Sequence, residues 1–200
     1  VSNYSVTDQS TTTANITAKS LTVSGITASS KTYDGSTSAT LTGTAVYSGL
    51  VSGDTFNGTY TGAFSDKNVG TGKTVNITPS YSGADVNNYS VTDQSSTTAD
   101  ISAKALTATA SASNKTYDGG TTASTTLTFT GLVGSETLGQ TVGSTFDNKN
   151  VGSNKTVTVN SITLADGSGL AANYSISAGQ TTTANITPKA LTVSGITASN

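Results

Sequence analysis

NYSVTDQSSTTADISAKALTATA, residues 88–110, decides how this chain is built. Close copies begin at Asn3 (NYSVTDQSTTTANITAKSLTVSG) and at Asn173 (NYSISAGQTTTANITPKALTVSG). Tyr4, Tyr89 and Tyr174 therefore recur with a period of 85 residues (89 − 4 and 174 − 89). In the first copy Tyr4 and Val6, then Ala14 and Ile16, alternate with polar residues around a polar turn, the pattern of half-buried strands. The alternation continues through Ile101-Ser102-Ala103-Lys104-Ala105-Leu106 with none of the Gly/Ser-rich slack of a flexible linker. Each copy reads as the end of one folded unit passing directly into the start of the next.

Working outward, residues 1–18 are expected to be the terminal strands of a preceding repeat and 19–103 a first complete repeat. Residues 104–188 are expected to be a second repeat, and 189–200 the first strand of a following one. Lys31-Thr32-Tyr33-Asp34-Gly35 returns as Lys115-Thr116-Tyr117-Asp118-Gly119. Asp-Gly is a turn signal, because glycine takes positive φ cheaply and the carboxylate accepts nearby backbone N–H groups. The tyrosine before it suits a core anchor. Phe56 to Phe64 and Leu138 to Phe146 alternate as strands, and so do Lys73-Thr74-Val75-Asn76-Ile77 and Lys155-Thr156-Val157-Thr158-Val159. Lys19 to Lys31 spans 12 residues but Lys104 to Lys115 only 11, and Gly25, where the apolar alternation slips, is the expected site of a bulge. About seven short strands per unit and no helix are expected.

Composition narrows the function classes. Roughly a third of the residues are Ser or Thr, 33% are apolar and only 10% charged. Low hydrophobicity without high net charge, and with abundant Thr, Val and Ile, favours polar-faced strands over disorder. The net charge is −2, with nine lysines and no arginine, so no basic patch can neutralise a run of phosphates and nucleic acid is not an expected partner. Histidine, cysteine, methionine and tryptophan are all absent, which excludes disulfides, thiol chemistry and cysteine- or histidine-ligated metal. No apolar run is long enough for a membrane-spanning helix. No activated-nucleophile motif is present, so the chain is not expected to be an enzyme or to carry a cofactor.

Three motifs carry a resemblance: KTYDG, the stretches DKNVGTGKTV (66–75) and NKNVGSNKTV (148–157), and the closing NYS…TTANITPKALTVSG. With these the chain resembles, over essentially its whole length, the YDG-type repeat of very large bacterial surface proteins, among them filamentous-haemagglutinin-like and autotransporter-like adhesins. The resemblance implies an extracellular, cell-surface location and a role as stalk or spacer, and supplies no catalytic residues. Asn148 in place of Asp66 argues against a strict carboxylate function in that loop.

The structural landmarks are thus Lys31, Tyr33, Asp34, Gly35 and Asn68 in the first repeat, and Lys115, Tyr117, Asp118, Gly119 and Asn150 in the second. Tyr4, Tyr89 and Tyr174 mark the closing strands. The recurring lysines are read as guards of exposed strand edges. A sharper reading is an isopeptide bond from Lys31 or Lys115 to Asn68 or Asn150, assisted by Asp34 or Asp118. Asp147, Asn148 and Asn150 offer a few oxygens to calcium, and Asn15, Asn57, Asn76, Asn114 and Asn185 sit in Asn-x-Thr sequences open to glycosylation.

The expected fold is all-β: tandem small β-sandwich domains of about 85 residues, Ig-like in shape and arrayed end to end, with a β-grasp-like unit as the alternative. The expected function is a non-catalytic spacer of a surface adhesin or extracellular filament. The alternative is a glycan- or protein-binding module using loops such as Ser52–Asp54 or Thr163–Ala171. Expected partners are the neighbouring repeats, and other copies of the chain through strand exchange at the incomplete ends.

Overall fold

A computed structural model describes residues 3–198, and the chain is nearly all β. Val1, Ser2, Ser199 and Asn200 lie outside the described residues, and with them the outer limits of the partial repeats expected at 1–18 and 189–200.

The first repeat carries strands β1 (Lys19–Ala28), β2 (Lys31–Thr32), β3 (Ser38–Ala39), β4 (Leu41–Ser48), β5 (Asn57–Phe64), β6 (Gly70–Ser82), β7 (Tyr89–Thr92) and β8 (Ser96–Ser102). The second carries β9 (Lys104–Ala105), β10 (Thr107–Ala112), β11 (Lys115–Thr116), β12 (Thr122–Ala123), β13 (Thr125–Thr130), β14 (Leu138–Phe146), β15 (Gly152–Asp166), β16 (Tyr174–Ser175) and β17 (Thr181–Thr187). The helical elements among the described residues are single 3-10 turns at Val86–Asn88 and Ala171–Asn173.

The first repeat forms a three-stranded sheet in the order β4-β1-β7 and a five-stranded sheet in the order β2-β8-β6-β5-β3. The second forms the matching five-stranded sheet β11-β17-β15-β14-β12. Its counterpart of the smaller sheet is divided into β10-β13 and β16-β9, parted at Leu106. In both repeats the opening strand runs antiparallel to one neighbour, and its early part runs parallel to the tyrosine strand.

The bulge expected at Gly25 is present. The β1–β4 register shifts between Ser24 and Ile26, and Gly25 sits at φ +85° opposite Gly43 at φ +82°. A Cβ on either glycine would lie within 2.6 Å of a backbone oxygen of the other strand, so the approach requires glycine at both positions. The β10–β13 ladder runs without a shift, and this is the residue missing from the Lys104–Lys115 spacing.

Contacts divide the chain into two compact units that cut across the repeats. One comprises the residues through Ser29 with Ser38–Ser65 and Thr74–Ala99. The other comprises Ser30–Thr37, Asp66–Lys73 and the chain from Asp100 on. In the first unit Leu21, Val23 and Ile26 of β1 pack with Leu41, Ala45 and Tyr47 of β4, Val91 of β7, Tyr60 of β5, and Ile77 and Tyr81 of β6, so side chains from both sheets share one core. In the second unit Ala123, Phe146, Val157, Ala184 and Ile186 form the core, with Ala112 and Tyr117 against it. The period-2 reading of β6 and β15 holds: Val75, Ile77, Val157 and Val159 are buried between exposed or half-buried neighbours. Each such side chain contributes about 1.5–3 kcal/mol.

Three expectations need correction. Residues 3–18 and 188–198 form no strand, and Tyr4, Val6, Ile16, Leu191, Val193 and Ile196 are exposed. Their equivalents pair with β1 and β2 in one case and with β4 and β7 in the other. The 200 residues offer neither end those partners, and a strand without a ladder has no bonds to hold it. Secondly, the first four residues of the 163–171 segment are strand rather than loop. β15 continues through Asp166, because Ile162 and Leu164 keep the alternation and pair with Val142 and Gln140 of β14. Thirdly, Ala39, Leu41, Gly43 and Ala45 alternate with polar residues as a single strand would, yet they divide between β3 and β4, which belong to different sheets.

Candidate functional site

The KTYDG turns are built alike. Lys31 Nζ donates to Asp34 Oδ1 at 2.8 Å and to the Ser36 carbonyl at 2.8 Å, while the Ser36 N–H donates back to the same carboxylate oxygen. Lys115 Nζ reaches Asp118 Oδ1 at 2.9 Å and the carbonyls of Gly120 and Thr122, and lies 5.6 Å from the centre of the Phe146 ring. The neighbouring ammonium holds the Asp34 and Asp118 carboxyls below their ordinary range. Gly35 and Gly119 complete the turns at φ +80° and +84°.

A second lysine closes the following loop. Lys73 Nζ donates to both oxygens of Asp66 at 2.8 Å. Lys155, whose side chain is only 9% exposed, pairs with Asp147 at 2.8 Å and with Asn148 Oδ1 at 2.7 Å. The carboxylate therefore survives in the second loop, displaced by one residue, and the Asp66 to Asn148 exchange does not signal its loss. These lysines close turns with their stems covered. Lys31 and Lys115 stand on the edge strands β2 and β11, whereas Lys73 and Lys155 stand on the inner strands β6 and β15, where the edge-guard reading does not hold.

The same geometry bears on the sharper readings. The Asn68 amide oxygen accepts from Asn173 Nδ2 at 3.0 Å, whereas Lys31 and Lys115 are committed to their own turns. The structure's close lysine–asparagine pair is Lys155–Asn148 instead. There the lysine is also ion-paired with Asp147 at 2.8 Å, and it holds the Asp147 carboxyl below its ordinary range. That ammonium also fills the place offered to calcium, and no group of three or more metal-type ligands occurs among the described residues.

The best-developed polar cluster surrounds a residue that sequence reasoning passed over, Glu136. Tyr174 OH donates to Oε2 at 2.5 Å and Tyr33 OH to Oε1 at 2.7 Å, with Lys67 Nζ at 3.5 Å from Oε1. The Tyr33 and Tyr174 rings meet edge to face at 5.4 Å. The Val133 N–H donates to the Tyr174 hydroxyl at 3.0 Å. Beside them Asn173, 1% exposed, accepts the Val69 N–H on Oδ1 and donates to Asn68. The donated hydroxyl of Tyr174 is first among the causes that hold Glu136 below the ordinary carboxylate range. Burial, and then Glu136, push Tyr174 up to about 12 and raise Tyr33. All these residues belong to the second compact unit.

The first repeat carries the carboxylate half of this arrangement. Tyr89 OH donates to Asp54 Oδ2 at 2.5 Å, and the Val51 N–H donates to Tyr89 OH at 3.0 Å. The landmarks thus separate. Tyr33, Asn68 and Tyr174 are brought into one cluster and Tyr89 forms its counterpart, whereas Tyr4 stands exposed and Asn150 lies exposed in its own loop. The signal for Glu136 was its alignment with Asp54; that for Asn173 was the Asn-Tyr pair repeated at 3–4, 88–89 and 173–174.

Residues 17–99 and 102–184 each match the family model of the YDG domain, their starts one 85-residue period apart. No curated protein and no solved structure matches the chain.

Proposed function

The chain belongs to the YDG domain family as two copies in tandem, and on that premise we propose that it is a non-catalytic structural spacer of a bacterial cell-surface adhesin or extracellular filament. One observation carries the reading. The Ser30–Thr37 turn and Asp66–Lys73 loop of the first repeat are incorporated in the compact unit of the second, through Glu136, Tyr174 and Asn173. The most elaborate polar chemistry of the chain is spent on joining repeats, which is what a spacer requires. The fold we infer for each repeat is a small two-layer sandwich of Ig-like type. Its support is the opening segment, which serves two sheets: β1 pairs antiparallel with β4, and β2 pairs parallel with the last strand, β8. The single 3-10 turns supply no helix of the kind a β-grasp packs on its sheet.

The experiment is small-angle scattering on chains of increasing repeat number. A spacer predicts a maximum dimension that grows linearly with the number of repeats; a dimension that stays compact refutes it. A second reading, a glycan-binding module, is favoured by an open groove in the first unit lined by Ile26, Leu41, Tyr47 and Tyr60, with the Tyr60 hydroxyl donating to that of Tyr47. Binding on a glycan array that is lost on Tyr47→Ala would support it.

A further inference from the structure

The opening and closing strands of each repeat lie side by side and run the same way. In the first repeat, residues 19–22 of β1 pair in parallel with all four residues of β7. Lys31 and Thr32 of β2 pair in parallel with Ile101 and Ser102 of β8, and the Tyr33 N–H donates to the Ser102 carbonyl at 2.9 Å. A pull on the two ends of the repeat draws β1 and β2 one way and β7 and β8 the other. Parallel neighbours then slide, so all their rungs bear load together, whereas an antiparallel pair pulled at its adjacent ends parts one rung at a time. Beyond β7 the ladder is continued by a side chain. Gln94 Oε1 accepts the Ile26 N–H at 3.0 Å and Gln94 Nε2 donates to the Ile26 carbonyl at 2.6 Å, so a carboxamide stands where a longer β7 would place a peptide group. Asp93 before it accepts the Tyr81 hydroxyl, which ties the end of β7 to β6.

The second repeat lacks both groups, with Ala178 and Gly179 standing 85 residues on from Asp93 and Gln94. Gly179 turns at φ +113° and its N–H donates to the Val159 carbonyl of β15. Gln180, one residue late, donates from Nε2 to the Ser177 carbonyl, and its Oε1 is buried without a partner among the described residues, so neither amide atom reaches β10. The ladder there is two pairs long, Lys104 with Tyr174 and Ala105 with Ser175, with the Leu106 N–H on the Ser175 carbonyl. We propose that these parallel ladders are clamps that carry tension along the chain, that Gln94 is the last rung of the stronger one, and that the repeats yield in a set order, the second before the first. Each ladder compared is formed within a single repeat. The inference goes beyond the spacer reading, because growth in length with repeat number and resistance to tension are separate properties with separate measurements.

The test is single-molecule pulling of the whole chain, whose lack of cysteine leaves the attachment points free to be chosen. Ser10→Cys with Ser194→Cys, both exposed and outside the strands, gives a pull along the chain. Ser10→Cys with the exposed Ser52→Cys gives a pull that parts β4 from β1, starting at their Thr22–Ser48 pair. At constant force the pull along the chain should release two steps of at most about 300 Å, the length of one 85-residue repeat at roughly 3.5 Å per residue. Val157→Ala, in the core of the second unit, should speed the first step and so assign it to the second repeat. Gln94→Ala removes two hydrogen bonds and should speed the second step about tenfold, leaving the first step and the β1–β4 pull unchanged. If Gln94→Ala speeds both pulling directions alike, Gln94 is an ordinary stabilising contact and the proposal is overturned. A single step along the chain, a first step that responds to Gln94→Ala, or a second step that does not, would overturn it equally.

Discussion

Tyr33 and Tyr117 hold one position of the repeat in two settings, and replacing each by phenylalanine separates the joint from the turn. In Tyr33→Phe the ring keeps its edge-to-face contact with Tyr174, and the loss is the 2.7 Å bond to Glu136. A hydrogen bond to a charged group is worth about 1.5–3 kcal/mol. Glu136 retains Tyr174 and Lys67, and its side chain is 15% exposed, so the lower end applies: about 1.5 kcal/mol, or roughly tenfold in the unfolding equilibrium of the second unit. In Tyr117→Phe the hydroxyl has no partner among the described residues, and the change should stay within about 0.5 kcal/mol. The assay is urea unfolding of the whole chain by circular dichroism, read transition by transition because two units need not unfold together. With a slope near 2 kcal/mol/M, Tyr33→Phe lowers one midpoint by about 0.7 M. Hydrogen exchange at the Val69 and Val133 amides, both bonded within the joint, locates the loss. Equal shifts for the two variants, or unchanged exchange at those amides, would refute the reasoning.

The alkaline limit follows from the tyrosines. Tyr60 and Tyr174 are held up to about 12, so the native state keeps protons that the unfolded chain releases near 10. Stability is full below about pH 10 and should fall as pH rises towards 12, with tyrosinate absorbance appearing together with unfolding. At the acid end the depressed Glu136 contributes stability above its ordinary value of 4.5 that is lost as pH falls through the native value; Glu136→Gln should flatten that slope in acid melting curves. Gly83 sits at φ +132° with a Cβ position 2.1 Å from the Thr55 carbonyl oxygen, whereas Gly53, at φ +99°, meets nothing. Gly83→Ala should cost about 2 kcal/mol more than Gly53→Ala in thermal unfolding. Lys31, Lys73, Lys115 and Lys155 are each paired with a carboxylate of their own turn, so intact mass should equal that of the plain sequence, with no loss of ammonia or water.

What was legible in the fold was what the chain writes locally. The alternation at Val75 and Ile77 and at Val157 and Val159 decides which side of a strand is buried. The single residue separating two lysine spacings locates the Gly25 bulge. What was hidden depended on partners. Residues 4–16 alternate as well as 89–101 do, yet form no strand, because alternation records which face is apolar and not whether a ladder is there to receive it. Residues 163–166 fall in a segment whose sequence reads as a loop. They belong instead to a hairpin arm lengthened along with β14, its partner.

The cluster around Glu136 was illegible for a related reason. Asp54 and Glu136 align, and each binds the tyrosine of its own closing strand, Tyr89 or Tyr174. Only Glu136 also receives a tyrosine 103 residues away, and no spacing within one repeat encodes that distance. Column-by-column comparison fails at the turn loops from the opposite direction. Lys73 takes its carboxylate from Asp66, and Lys155 takes its own from Asp147, one residue earlier, with Asn148 filling the vacated position. A lysine stem is long enough to reach either acceptor, so the ion pair persists while the aligned residue changes. In this chain an interaction is therefore kept by reach and geometry rather than by residue identity.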